Sequence, residues 1–120
     1  MVFKNSKLIV QDNFGVKKVK CIRVPKKGCA LLGAIILISV LRKVSMKKRI
    51  KYGQLFRALV VNSSGISSRK SGFFVKGFNS VVILKKVDNV PISKRVKGPL
   101  CIELRRRKMS KILVMGSYVF

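Results

Sequence analysis

The sequence predicts a mainly β fold, a small closed barrel, on three observations. The β-forming residues are almost all aliphatic, with 28 Val+Ile and no Thr in 120 residues. Apolar clusters recur at short intervals with Gly, Pro, Asn and Ser between them, the texture of short strands joined by turns. The chain is 48% hydrophobic, enough to build a core, and closure removes the edges that such aliphatic strands cannot leave open. The length suits one domain over residues 1–120, with a barrel at about 7–90 and a basic, helical C-terminal segment at about 91–120.

Leu8–Val10 is the first strand, and Asp12-Asn13-Phe14-Gly15 after it is a turn sequence. Asp12 is expected to accept from its own backbone there, in an Asx-turn. Val16–Val24 is the second strand, ended by Pro25-Lys26-Lys27-Gly28. Leu31–Val44 reads as a long core strand. It overlaps Cys29–Leu41, thirteen residues without a charge, too short for the roughly 20 apolar residues of a membrane-spanning helix. The β-branched Ile35, Ile36, Ile38 and Val40 favour a strand instead.

Ser45–Gly53 is a basic connection, and Leu55–Val61 is the next strand. Asn62–Gly72 holds five serines and reads as a loop or the tip of a hairpin. Phe73–Val75 and Val81–Val87 follow as strands. In a strand, Phe73 and Phe74 send one ring inward and one outward, and core packing is the expected use of most aromatic residues here. Beyond Pro91 the segment Ile92–Lys97 is basic and Gly98-Pro99 breaks the chain. Leu100–Met109 then forms one short helix, and Ile112–Met115 adds a second turn or a strand.

Against 28 Lys+Arg stand 3 Asp+Glu, a net charge of +25. Like charges repel in a compact domain, so this composition requires a polyanion. The acids Asp12, Asp88 and Glu103 lie far apart in sequence and His is absent, which excludes the common acid–base pairs and catalytic triads. Glu103 is expected to pair with a nearby cation. Cys21, Cys29 and Cys101, spaced by 8 and 72, match no zinc pattern and read as reduced thiols, and no cofactor is expected. No apolar h-region or presequence is read at the N-terminus.

The expected nucleic-acid contacts are the cations of four clusters. They are Lys17, Lys18, Lys20, Arg23, Lys26 and Lys27; Arg42, Lys43, Lys47, Lys48, Arg49 and Lys51; Arg69 and Lys70; and Lys94, Arg95, Lys97, Arg105, Arg106, Arg107, Lys108 and Lys111. Most are assigned to strand ends, loops and the C-terminal segment, where a barrel presents its binding residues. With few aromatics, recognition is expected through backbone and shape of folded RNA, not through base stacking. The alternative readings are a basic membrane-surface protein anchored by Cys29–Leu41, and a free nucleic-acid-binding regulator.

An ordered set of residues resembles a known family. It runs Leu8-Ile9-Val10-Gln11-Asp12-Asn13-Phe14-Gly15, Lys17-Lys18-Val19-Lys20-Cys21-Ile22-Arg23-Val24, Ala58-Leu59-Val60-Val61, and Asn79 before Val81-Val82-Ile83-Leu84. Gly98-Pro99, Glu103-Leu104-Arg105 and Lys111-Ile112 complete it. The set resembles the universal large-subunit ribosomal protein fourteen, in its bacterial and organellar form. The resemblance implies a five-stranded barrel, a projecting β-ribbon and short C-terminal helices. It implies binding to large-subunit rRNA beside ribosomal proteins three and nineteen, a bridge to small-subunit rRNA, and a docking surface for a silencing factor. Phe14, the run Lys76-Gly77-Phe78-Asn79, the serine-rich loop, and Arg106 and Arg107 depart from the family pattern. Three alanines in the whole chain resemble an AT-rich organelle gene. A mitochondrial genome is the expectation, with a plastid or reduced bacterial genome as alternatives.

Overall fold

Alternating apolar residues set the strands of the barrel. The computed structural model of the chain describes residues 2–25, 28–43, 50–86, 88, 90–107 and 110–119. Five strands close on themselves: β2 (Lys7–Val10), β3 (Val16–Arg23), β5 (Ile35–Lys43), β6 (Leu55–Asn62) and β9 (Ser80–Leu84). Neighbours are antiparallel around the barrel except at the closing seam, where β2 and β9 run parallel with Ile9 opposite Ser80 and Val10 opposite Val81. Side chains at every second position of β2 and β5 (Leu8 and Val10; Ile36, Ile38 and Val40) are buried in the interior. Val19, Cys21, Ala58, Val60, Val81 and Ile83 join them there.

β6 and β9 break the alternation, and the reason is a second core. Leu59, Val61, Val82 and Leu84 face away from the barrel interior and are nonetheless buried, against Val96, Leu100, Leu104 and Ile112. The C-terminal segment covers this arc of the wall. Strands apolar on both faces read as continuous runs, which is why Ala58-Leu59-Val60-Val61 and Val81-Val82-Ile83-Leu84 carry no polar interruptions.

Several expectations change. The long strand over Leu31–Val44 is split. Cys29–Ala30 forms β4, paired with the N-terminal β1 (Val2–Phe3), and the chain turns before β5 begins at Ile35. Gly33 at φ +83° permits that turn, and its N–H donates to Val60 O at 2.8 Å. Cys29–Leu41 is therefore strand, turn and barrel wall; no helix among the described residues is long and apolar enough to cross a membrane. The stretch read as a loop or the tip of a hairpin is a hairpin: Ile66–Ser68 (β7) pairs with Phe74–Lys76 (β8) as the expected ribbon, between β6 and β9. β9 stops at Leu84, where Lys85 N–H turns back to Val90 O.

The C-terminal expectations are corrected too. Gly98-Pro99 does not break the chain but lies inside β10 (Val96–Leu100), which pairs parallel with β11 (Gly116–Val119). A register shift between Val96 and Pro99 absorbs the residues that cannot join a regular ladder. The expected helix over Leu100–Met109 is a 3₁₀ turn at Ile102–Arg107, followed by α1 at Ser110–Met115. Ser45–Lys48 and Arg49, Val87, and Lys108 with Met109 fall outside the described residues.

Candidate nucleic-acid interface

The outward face of β2, β3 and β5 gathers a group of cations among apolar residues such as Ile9 and Leu41. Lys7 stands directly opposite Lys20, and Lys18 lies between Ile9 on one side and Arg42 on the other. Register shifts flank Lys18, so both Lys17 and Lys18 are exposed where a regular strand buries one of the two. Like charges directly opposite each other destabilise a sheet. The sequence assigned most cations to loops and strand ends, yet Lys17, Lys18 and Lys20 occupy the body of β3. Lys7 was missed; the alternation Lys7-Leu8-Ile9-Val10 was the signal that could have found it.

The acids do not relieve this repulsion. Asp12 is buried, with Oδ2 accepting Ile83 N–H at 2.8 Å and Oδ1 accepting Phe14 N–H at 3.2 Å. The Asx-turn is present, and the bond to β9 adds a tie across the barrel seam. Glu103 receives Arg69 Nε at 2.9 Å, the ion pair found among the described residues, and Cys101 Sγ donates to its Oε2. Asp88 is exposed.

Burial pushes the Asp12 carboxyl above its usual range, against the two backbone donors. Burial also pushes Glu103 up, but the Arg69 and Cys101 hydrogen bonds outweigh it and hold the group below its usual range. The two carboxyls therefore act in opposite directions on acidification. A raised folded pKa makes stability fall as pH rises from the unfolded value through the folded one; a lowered one makes stability fall as pH drops through it. In urea titrations from about pH 6 to pH 3, wild type should gain on Asp12→Asn and lose on Glu103→Gln as pH falls. Parallel curves for either pair would contradict the assignment.

A second group of cations meets at the ribbon. Arg69 and Lys70, with Ser68 and Ser71, face Ile102, Glu103 and Arg105 of the 3₁₀ turn across a cleft of about 830 Å³. Lys94, Arg95, Lys97, Lys111, Arg23 and Lys51 are exposed elsewhere on the surface. Lys43 is committed internally: its Nζ donates to Ile50 O at 2.7 Å and sits 5.2 Å from the centre of the Tyr52 ring. Lys26, Lys27, Lys47, Lys48, Arg49 and Lys108 lie outside the described residues; Arg106 and Arg107 are placed only by their backbone in the 3₁₀ turn.

The aromatic expectation is corrected. Phe14 and Phe56 pack against the interior core, edge to face at 5.4 Å between centroids. Phe3, Tyr52, Phe73, Phe74 and Phe78 are instead exposed. Both ribbon rings face solvent, because a two-stranded ribbon has no core to receive the inward one.

A buried polar network fixes the C-terminal segment to the barrel. Gln11 Nε2 donates to Lys97 O and Pro99 O, each at 3.1 Å, while its Oε1 accepts from Asn62 Nδ2 at 2.9 Å and Ser80 Oγ at 2.6 Å. Asn62 Nδ2 also reaches Pro99 O at 2.9 Å. Gly98 is at φ +79°, and a Cβ there would lie 2.9 Å from Gln11 Nε2, so glycine alone allows this approach.

All three cysteines are free thiols, and burial pushes Cys21 and Cys101 up. Among the described residues no three His, Cys, Asp or Glu side chains gather to hold a metal. A closed barrel with a cationic outer arc, and with two of its three acids buried or ion-paired, defines a small basic β-barrel protein of the kind built to sit on a polyanion. The model of the family described as ribosomal protein L14p/L23e matches residues 1–120, and the chain belongs to that family. It is a structural constituent of the large ribosomal subunit, and the family is structural, not enzymatic.

Proposed function

We propose that the chain binds large-subunit rRNA through the cationic arc of β2, β3 and β5 and through the ribbon cleft, acting as one domain. The observation that carries this reading is the juxtaposition of Lys7 with Lys20 and of Lys18 with Arg42. Such pairs weaken an isolated sheet, and phosphate between them turns repulsion into attraction. The Arg-rich 3₁₀ turn adds guanidinium groups suited to forked phosphate contacts. The resemblance to the bacterial and organellar form extends the proposal to the subunit interface. The neighbours there are ribosomal proteins three and nineteen, small-subunit rRNA across a bridge, and a silencing factor. The alanine-poor composition supports a mitochondrial origin.

Two measurements test this. In salt-washed mitochondrial lysate on a sucrose gradient, the chain should co-sediment with the large subunit; recovery from carbonate-washed membranes overturns the reading. Reversing Arg105, Arg106 and Arg107 to Glu should weaken binding to an rRNA fragment. It should also flatten log K against log salt by up to about 3, at roughly 0.7–0.9 per lost phosphate contact. An unchanged slope assigns the three arginines to a protein neighbour.

A further inference from the structure

The ribbon tip carries two rings that the fold does not use. β7 and β8 are joined by a turn in which Arg69 N–H donates to Phe73 O at 2.9 Å and Gly72 N–H to Arg69 O at 3.0 Å. Phe73 and Phe74 are each 72% exposed, and Ile66 on the same ribbon is 69% exposed. Adjacent exposed phenylalanines of this extent mark an interaction surface. The same turn supplies Arg69 and Lys70 to the cleft shared with Arg105. The ribbon from Ile66 to Lys76 holds Arg69, Lys70 and Lys76 and no acid.

We propose that Phe73 and Phe74 form a stacking platform for an unpaired rRNA base, with Lys70 and Arg105 meeting the phosphates beside it. This rests on the rRNA-binding reading and adds a contact of a different kind. Aromatic faces accept any base, and neighbouring cations hold the backbone that delivers it. The ribbon carries no acid, and Glu103 across the cleft is committed to Arg69, so the charge that Lys70, Lys76 and Arg105 present beside the rings favours a nucleic acid over a protein partner.

The chain contains no Trp, so Phe73→Trp introduces a single reporter at the site. The full-length variant is titrated with fluorescein-labelled oligouridylate of about 12 nucleotides and with a blunt RNA duplex of equal length. Label anisotropy reports total binding, while Trp emission reports stacking. The single strand should quench the emission and the duplex should not. The double variant F73A/F74A, altered only at exposed positions, should bind the single strand roughly tenfold more weakly with an unchanged salt slope, and the duplex as wild type does. Lys70→Ala should instead flatten the slope. Unmoved emission with RNA bound overturns the platform and leaves rRNA binding standing. Failure to bind either RNA overturns both readings.

Discussion

Gln11→Ala is expected to lower the free energy of unfolding by about 2–4 kcal/mol, although it removes no apolar contact of the core. The Gln11 side chain donates to two carbonyls of β10 and accepts from Asn62 and Ser80. Ser80 is fully buried, so its hydroxyl loses its acceptor where no water reaches it. Each buried group left without a partner costs about 1–3 kcal/mol. Asn62 keeps its bond to Pro99 O, which limits the total. Urea denaturation measures the loss. The double variant Gln11→Ala/Ser80→Ala should cost clearly less than the sum of the singles, since removing both partners leaves less unsatisfied. Strict additivity would refute the network account.

Leu104→Ala should be nearly as costly, about 2–5 kcal/mol, and its effect should be local. Leu104 is fully buried in the second core, on the far side of the β6–β9 wall from the barrel interior. Its removal leaves a cavity between the 3₁₀ turn and the outer faces of Leu59, Val61, Val82 and Leu84. Amide exchange should accelerate first in residues 96–119, with β5 still protected by the interior cluster of Ile36, Ile38 and Val40. Ile38→Ala, of similar cost, should expose both regions together. Uniform acceleration in the Leu104 variant would mean that the two cores open as one unit.

The contrast between these cores shows what the amino-acid pattern could reveal. The barrel was legible because aliphatic runs, turn residues and spacing agree, and each depends on neighbours in sequence. The doubled burial of β6 and β9 was visible as unbroken apolar runs. The split at Gly33 was not, because a long apolar stretch hides a turn whose cause is one positive φ. The parallel pairing of β10 with β11 was hidden by Gly98-Pro99, a local breaker that tertiary contacts with Gln11 and Asn62 override. That network joins positions 51 and 69 residues apart, and no local signal announces it. The positive charge was plain in the composition, but its arrangement depends on strand register, which alone sets Lys7 against Lys20. The inward and outward rings expected of Phe73 and Phe74 are not found, because Phe73 lies in the turn before β8 and the two-stranded ribbon has no core to receive a ring.

The facing cations on β2, β3 and β5 also bear on the lifetime of the chain. A ligand that binds only the folded form adds to its stability by mass action. A polyanion seated on that arc both removes the cross-strand repulsion and adds its own binding energy. Copies with such a partner are then held folded, while surplus copies retain the full repulsion and populate the open state more often. Since proteolysis draws on the open population, supply would be trimmed toward the number of available partners by the charge pattern itself, without a dedicated regulator.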